Sequence, residues 1–228
     1  MQDISQSHPI SLQSSDESKV YGLFAFAMAI SALGVYFGIQ FTEVLIGTGI
    51  HFFFLIAELI IIFTAGFWKD KSPLNYFLFA AFPLLSGFTI TPYLLSVLAG
   101  YVNGGAILLN AGAATVFMAA AAAVFVRSTS MDLSVLGRTL FMALIGLLIL
   151  MIAQFFVPAL KTTQFELIIS GAGIVIFALF TAYDLQRIQH QSRAGMSPFL
   201  LALSLYLDIF NLFLFILRFM LVIAGDRR

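Results

Sequence analysis

The sequence predicts an all-α membrane protein of seven transmembrane helices. Three observations carry this. Of its 228 residues, 61% are hydrophobic and only 10% are charged, whereas a soluble domain has about a quarter of its residues charged. The apolar residues gather into runs that each approach the ~20 residues a helical span requires. The runs are continuously apolar rather than alternating, which favours helices over a membrane barrel.

Residues 1–19 precede the first run. Met1 to Ser18 is polar and serine-rich, and lacks the basic segment and short apolar core of a secretory signal. A flexible tail is expected there, with residues 20–228 forming one seven-helix domain. The first span runs from Val20 to Phe41 and the second from Val44 to Trp68, ending at Lys69-Asp70-Lys71. The third runs from Leu74 to Leu98 and is expected to be broken by Pro83 and Pro92. The fourth covers Ala106 to Val126, and the fifth Leu136 to Val157, closed by Pro158. The sixth covers Phe165 to Gln186 and the seventh Pro198 to Ala224. Gly34 and Gly38 form a GxxxG in the first span, and Ala111 to Ala123 make the fourth nearly a rail of glycine and alanine. Both read as surfaces for close helix packing.

Formal net charge is zero and cysteine is absent. Disulfides, thiol catalysis and cysteine metal sites are therefore excluded, and nothing points to nucleic acid. Seven spans place Lys19, Lys69, Lys71, Arg127, Arg138, Arg187 and Arg193 on one side, and Lys161 with Arg227 and Arg228 on the other. The excess of positive charge marks the first side as cytoplasmic, with the N-terminus on it. A re-entrant last segment would return the two terminal arginines to the cytoplasm, but the final run is long enough to cross.

The last two spans carry the chemistry. Asp208 lies in the middle of an apolar run, where an ionised carboxylate costs about 2.5–3.5 kcal/mol on insertion scales. Asp184 lies near the end of the preceding run. Met196, midway between them, falls in the polar turn Gln191 to Pro198. An antiparallel hairpin folded there brings both carboxyls to about equal depth. Two like charges about 4 Å apart repel by about 4 kcal/mol at an effective dielectric near 20. The two are therefore expected to share a proton and to titrate as one coupled system. With the proton, the pair ties helix six to helix seven. Without it, the carboxylates repel and a divalent cation becomes their natural counter-ion. A second reading pairs each aspartate with a separate cation, Lys69, Arg187 or Arg218, as a structural pin. Glu58 in span two is a third intramembrane carboxylate and a candidate pathway residue, with His51 on the same helical face.

Enzyme readings fit less well. Tyr183-Asp184 resembles the first motif of intramembrane aspartyl proteases, but the second aspartate follows Leu205-Tyr206-Leu207 rather than Gly-x-Gly. Pro158-Ala159-Leu160 precedes both aspartates, the wrong order. There is no HExxH, and Gly171-Ala172-Gly173 lacks the third glycine of a dinucleotide loop. No enzyme activity is expected.

Ala202 to Arg218 closely resembles the last-helix motif of the transmembrane Bax inhibitor motif family, the Bax inhibitor-1 group. Tyr183-Asp184-Leu185-Gln186 is similar to its penultimate-helix motif. Pro73-Leu74-Asn75 and Ser86-Gly87-Phe88-Thr89-Ile90-Thr91-Pro92 resemble its third span and the preceding loop. The resemblance covers nearly the whole chain after the tail, and the short tails suggest a bacterial member of the inner membrane. It implies that the last helix is central, with the other six around it. It implies a pH-sensitive calcium leak in which Asp184 and Asp208 are sensor and gate, and a transient calcium site. Asn211, three residues after Asp208 on the same helix face, and Glu58 are candidate calcium contacts; Tyr183 and Arg218 are supporting residues. Members with a described gate carry an arginine at the cytoplasmic end of span two that contacts the sixth-helix aspartate; the counterpart here is Lys69, as a latch. Expected partners are membrane lipid, calcium and protons, with no tightly bound cofactor. The alternative is a non-conducting regulator that binds other membrane proteins, such as a membrane protease.

Overall fold

The computed structural model describes residues 10–191 and 195–225. Residues 1–9 of the expected tail, Arg193, and the terminal Arg227 and Arg228 lie outside the described residues. Helices form every element described. They are α1 (Ile10–Gln40), α2 (Thr42–Thr48), α3 (Ile50–Phe63), α4 (Ala65–Trp68), α5 (Leu74–Gly100), α6 (Gly104–Ser128), α7 (Leu136–Phe156), α8 (Thr163–Gln191) and α9 (Pro198–Ala224). The first helix thus begins at Ile10, within the segment expected as a tail. Six helices are long and apolar enough to cross a membrane, and a seventh span arises if the bent pair α2 and α3 is one crossing.

That bent pair corrects the continuous second span. Between α2 and α3 the axis turns by 86°. Gly49 makes the turn at φ 67°, a left-handed backbone that glycine adopts without a Cβ clash. Side chains then fix the corner. Thr48 Oγ1 donates to the Val44 carbonyl at 2.6 Å, and His51 Nδ1–H donates to the Leu45 carbonyl at 2.8 Å. His51 is thereby a corner brace. A second interruption at Thr64 separates α3 from α4.

The two prolines do the opposite of what the sequence suggests. α5 runs unbroken through Pro83 and Pro92. Proline in a membrane helix is tolerated where neighbouring helices and hydroxyl side chains take up freed backbone groups. α1 and α3 pack on α5; Ser86 and Thr91 back-bond to the Phe82 carbonyl at 3.1 Å and the Gly87 carbonyl at 2.7 Å, which are not the Phe79 and Phe88 carbonyls that the prolines free.

α9 is the central helix. More than half of its membrane window is buried inside the protein, the largest share of any span. It packs against α8, α1, α6 and α5. Its length, ~40 Å at about 1.5 Å per residue, exceeds the ~30 Å hydrocarbon core. Apolar side chains on the outer helices face outward instead: Phe63 is 80% exposed and Phe156 is 80% exposed, as suits a surface solvated by lipid.

Close packing concentrates between α1 and α5. A Cβ at Gly34 would strike the Leu84 carbonyl oxygen and lie 3.0 Å from the Gly87 Cα. A Cβ at Gly38 would strike Thr91. The small-residue rail of α6 has two faces. Ala111 and Thr115 are buried and Ala114, Met118, Ala122 and Ala123 are partly buried against the core, so one face of the rail packs on α8 and α9 while Ala113, Val116, Phe117, Ala120 and Ala121 face outward.

Two side-chain links gather three turns on one face. Ser197, in the α8–α9 turn, donates to the carbonyl of Lys69 between α4 and α5 at 3.4 Å. Gln186 Oε1 accepts from the Leu133 N–H at 2.7 Å, and its Nε2 donates to the Met131 carbonyl at 2.7 Å, clamping the α6–α7 loop to α8. This face carries Lys69, Lys71, Arg127 and Arg187; we call it the basic face.

Candidate functional site

α8 and α9 form the antiparallel hairpin that the midpoint at Met196 suggests. Equal distances from its turn bring Asp184 and Asp208 together. Asp184 is 3% exposed and Asp208 is 7% exposed. Their carboxyl groups lie within hydrogen-bonding reach of each other, and the Ser204 hydroxyl faces Asp184 from α9. Ser204 precedes Asp208 by one helical turn, so the two share a face.

The cation at the pair is Arg187. Its Nη1 donates to Asp184 Oδ1 at 3.2 Å, and its Nη2 lies 3.4 Å from the Met196 sulfur. This corrects the expected latch. Lys69 instead pairs with Asp70 at 3.6 Å, where Asp70 is 69% exposed. The reason is local: Arg187 sits three residues after Asp184 on the same helix, whereas Lys69 projects at the protein's edge beside its own neighbour.

One oxygen of each carboxyl, Asp184 Oδ2 and Asp208 Oδ2, is buried without a hydrogen-bond partner among the described residues. An ionised carboxylate can only accept, while a protonated one also donates. A single proton between the two groups would therefore give each a partner. Without it, two buried acceptors face each other and are unsatisfied, an arrangement whose desolvation is costly.

The other candidates lie elsewhere. Glu58 is on α3, and accepts from the Ser86 hydroxyl at 2.8 Å and the Thr89 hydroxyl at 2.6 Å. Tyr206 lies on that side of α9 and donates to Ser31 Oγ at 3.0 Å. Residues i and i+2 on a helix are about 200° apart, so Asp208 points away from Tyr206 and from the Glu58 cluster. Glu58 is thus not part of the aspartate pair. Asn211 back-bonds to its own helix, its Nδ2 donating to the Leu207 carbonyl at 2.8 Å. Tyr183 packs over Gly137, where a Cβ would lie 2.9 Å from its hydroxyl oxygen.

Arg218 belongs to a separate cluster near the opposite face. Its Nε donates to Glu166 Oε2 at 2.7 Å, and its Nη2 to Gln154 Oε1 at 2.9 Å. Gln154 Nε2 in turn donates to Glu166 Oε1 at 2.8 Å and to the Leu160 carbonyl at 3.2 Å. This network joins α7, α8 and α9. Glu166, Gln154 and Ser204 are not singled out in the sequence, where Arg187 enters only as one of three alternative cations for the aspartates. Asp184-x-x-Arg187 and Ser204-x-x-x-Asp208 were visible as helical spacings; the contact between Glu166 and Arg218 spans 52 positions and had no such signal.

The same cluster opens on a cavity of about 1140 Å³. It runs along α9 from Asn211 past Arg218 to Gly225. Its deep end therefore lies one helical turn from Asp208. On the basic face a second cavity of about 600 Å³ is lined by Asp132, Tyr183, Gln186, Arg187 and His190. At its rim the exposed Asp132 carboxyl accepts the Ser134 N–H at 2.9 Å, a bond that holds its pKa below the ordinary value. No cluster of three or more metal-ligating side chains occurs among the described residues. The aspartate pair could hold a divalent cation only with carbonyls and water completing its shell.

Comparison with known proteins gives a consistent result. The profile of the family described as "Inhibitor of apoptosis-promoting Bax1" matches residues 14–225. A Helicobacter pylori protein is 34% identical over 209 residues, covering 91% of this chain and 86% of its own. A Campylobacter jejuni protein is 33% identical over 202 residues, covering 88% and 85%. Inner membrane protein YbhL of Escherichia coli is 27% identical over 226 residues, covering 92% and 91%.

Proposed function

Because this chain belongs to the Bax inhibitor-1 family, we propose that it is a pH-sensitive calcium leak of a bacterial inner membrane, gated by proton sharing between Asp184 and Asp208, with its N-terminus in the cytoplasm. The observation that carries the reading is the pair of buried, adjoining carboxyl groups, each with an Oδ2 atom that has no donor among the described residues. One proton locks α8 to α9. Loss of that proton sets two carboxylates against each other at the hairpin's inner end, and calcium then stabilises the separated state. The cavity that ends at Asn211 supports an approach from the opposite face, since it stops one turn short of Asp208. Arg187 favours ionisation of Asp184 and so sets where in pH the change falls. The inner membrane assignment follows the location named for YbhL and the basic residues gathered on one face.

Such a site suits a leak. Calcium prefers six to eight oxygen ligands at about 2.3–2.6 Å, and two aspartates supply part of that set. Binding is consequently weak, and an ion that enters can leave. The test is calcium entry into liposomes that contain only this protein, followed with an internal calcium dye across pH. Entry that scales with protein and rises with pH supports the proposal. Absence of entry at every pH would leave the chain as a non-conducting membrane regulator.

A further inference from the structure

The large cavity beside Arg218 has a chemistry that the aspartate pair does not use. Its walls come from α5, α7, α8 and α9 and are mainly apolar, including Ile90, Val97, Leu147 and Phe215. Its polar groups gather toward the end near the opposite face, where Lys161, Thr162, Thr163, Glu166 and Arg218 line it. At about 1140 Å³ it exceeds the range of about 300–1,000 Å³ typical of small-molecule pockets. α5 packs on α1 and α3, and α7 packs on α8.

Among the described residues, the polar end carries two cations, Lys161 and Arg218, against one carboxylate, Glu166. Arg218 commits Nε and Nη2 to Glu166 and Gln154, and its Nη1 has no acceptor among the described residues. Lys161 lines the same end. Basic pockets between transmembrane helices bind anionic lipid headgroups, and guanidinium groups favour phosphate. Apolar walls adjoining such a cluster leave a space that water fills poorly, and the neighbouring solvent is the acyl region of the bilayer.

We propose that this cavity binds one anionic phospholipid, with its phosphate at Lys161 and Arg218 and an acyl chain along the wall formed by Leu147 and Phe215. This is the cavity that the calcium reading uses as its approach, but retention of lipid is measured without flux, so the two readings fail separately.

The probe is native mass spectrometry of the detergent-purified chain with added phosphatidylglycerol, phosphatidylcholine or oleate. Phosphatidylglycerol is expected to remain at one molecule per chain, at least tenfold more strongly than the other two. Lys161→Gln, at an exposed position, should weaken retention several-fold. Leu148→Trp, on the exposed side of the cavity wall, should fill the space and abolish it. Both variants should keep the wild-type helical content by circular dichroism. Retention unchanged in both variants, equal retention of phosphatidylcholine or oleate, or no retained lipid would each overturn the proposal.

Discussion

Asp184 on α8 and Asp208 on α9 face each other across the hairpin, each burying an Oδ2 atom that has no donor among the described residues. Arg187 donates to Oδ1 of the first of them at 3.2 Å. Its charge also acts on Asp208, so one guanidinium serves both carboxyls.

Arg187 should tune the response. Removing it, as in Arg187→Met, takes away the charge that favours ionised Asp184. The protonated, bridged state then persists to higher pH, so the midpoint of calcium flux should move up by about one to three pH units. Lys69→Met should leave the midpoint in place, since Lys69 pairs with Asp70. Flux profiles of the two variants against wild type check both statements. An upward shift for Lys69→Met alone would reverse the assignment.

Calcium should compete with protons. Metal binding needs both carboxylates ionised. Calcium titrations of purified protein should give weak binding that fades as pH falls, and Asp208→Asn should weaken it further at every pH. Tight binding that is constant from acid to alkaline conditions would locate the ion elsewhere, with Glu58 the first residue to examine.

Arg218 needs Glu166 for stability. Glu166→Gln replaces a charge-assisted pair by a neutral contact, and should destabilise the protein by about 1.5–3 kcal/mol, the range for hydrogen bonds to charged groups. The double variant Glu166→Gln with Arg218→Met should recover part of this, because no unpaired cation remains. Thermal unfolding in detergent measures both. Equal losses in the single and double variants would contradict a pairing role.

Gly34 and Gly87 face each other where the α1–α5 interface is tight. Gly34→Val should cost at least the 1–3 kcal/mol typical of overpacking, because the new Cβ meets the fixed Leu84 carbonyl rather than a movable side chain. Gly22→Val, where a Cβ meets nothing within 4 Å, is the control and should be nearly neutral. The same unfolding assay separates them.

What could be read from the sequence depended on whether a local rule governed the feature. Span number and the α8–α9 hairpin follow from run length and from one polar turn, and the facing of Asp184 and Asp208 follows from their equal distance to Met196. The GxxxG at Gly34 and Gly38 signalled close approach because only backbone atoms have to meet there. The α6 rail signals the same contact, and one face of it packs on α8 and α9. Pro83 and Pro92 suggest a break that does not occur, since α5 stays helical through both. The real break, at Gly49, depends on a left-handed φ that the run of apolar residues from Val44 to Trp68 conceals. The family resemblance points to Lys69 as latch, whereas Arg187 reaches Asp184 through simple helical spacing.

The most direct test of the central claim is the pH profile of calcium entry into liposomes for wild type, Asp184→Asn and Asp208→Asn, each at matched protein content. Wild type should show a pH-dependent rise. Each single variant loses one member of the proton-sharing pair, so its profile should be flat, with at least a fivefold smaller change over the same pH interval. Wild-type pH dependence in both variants would contradict the account.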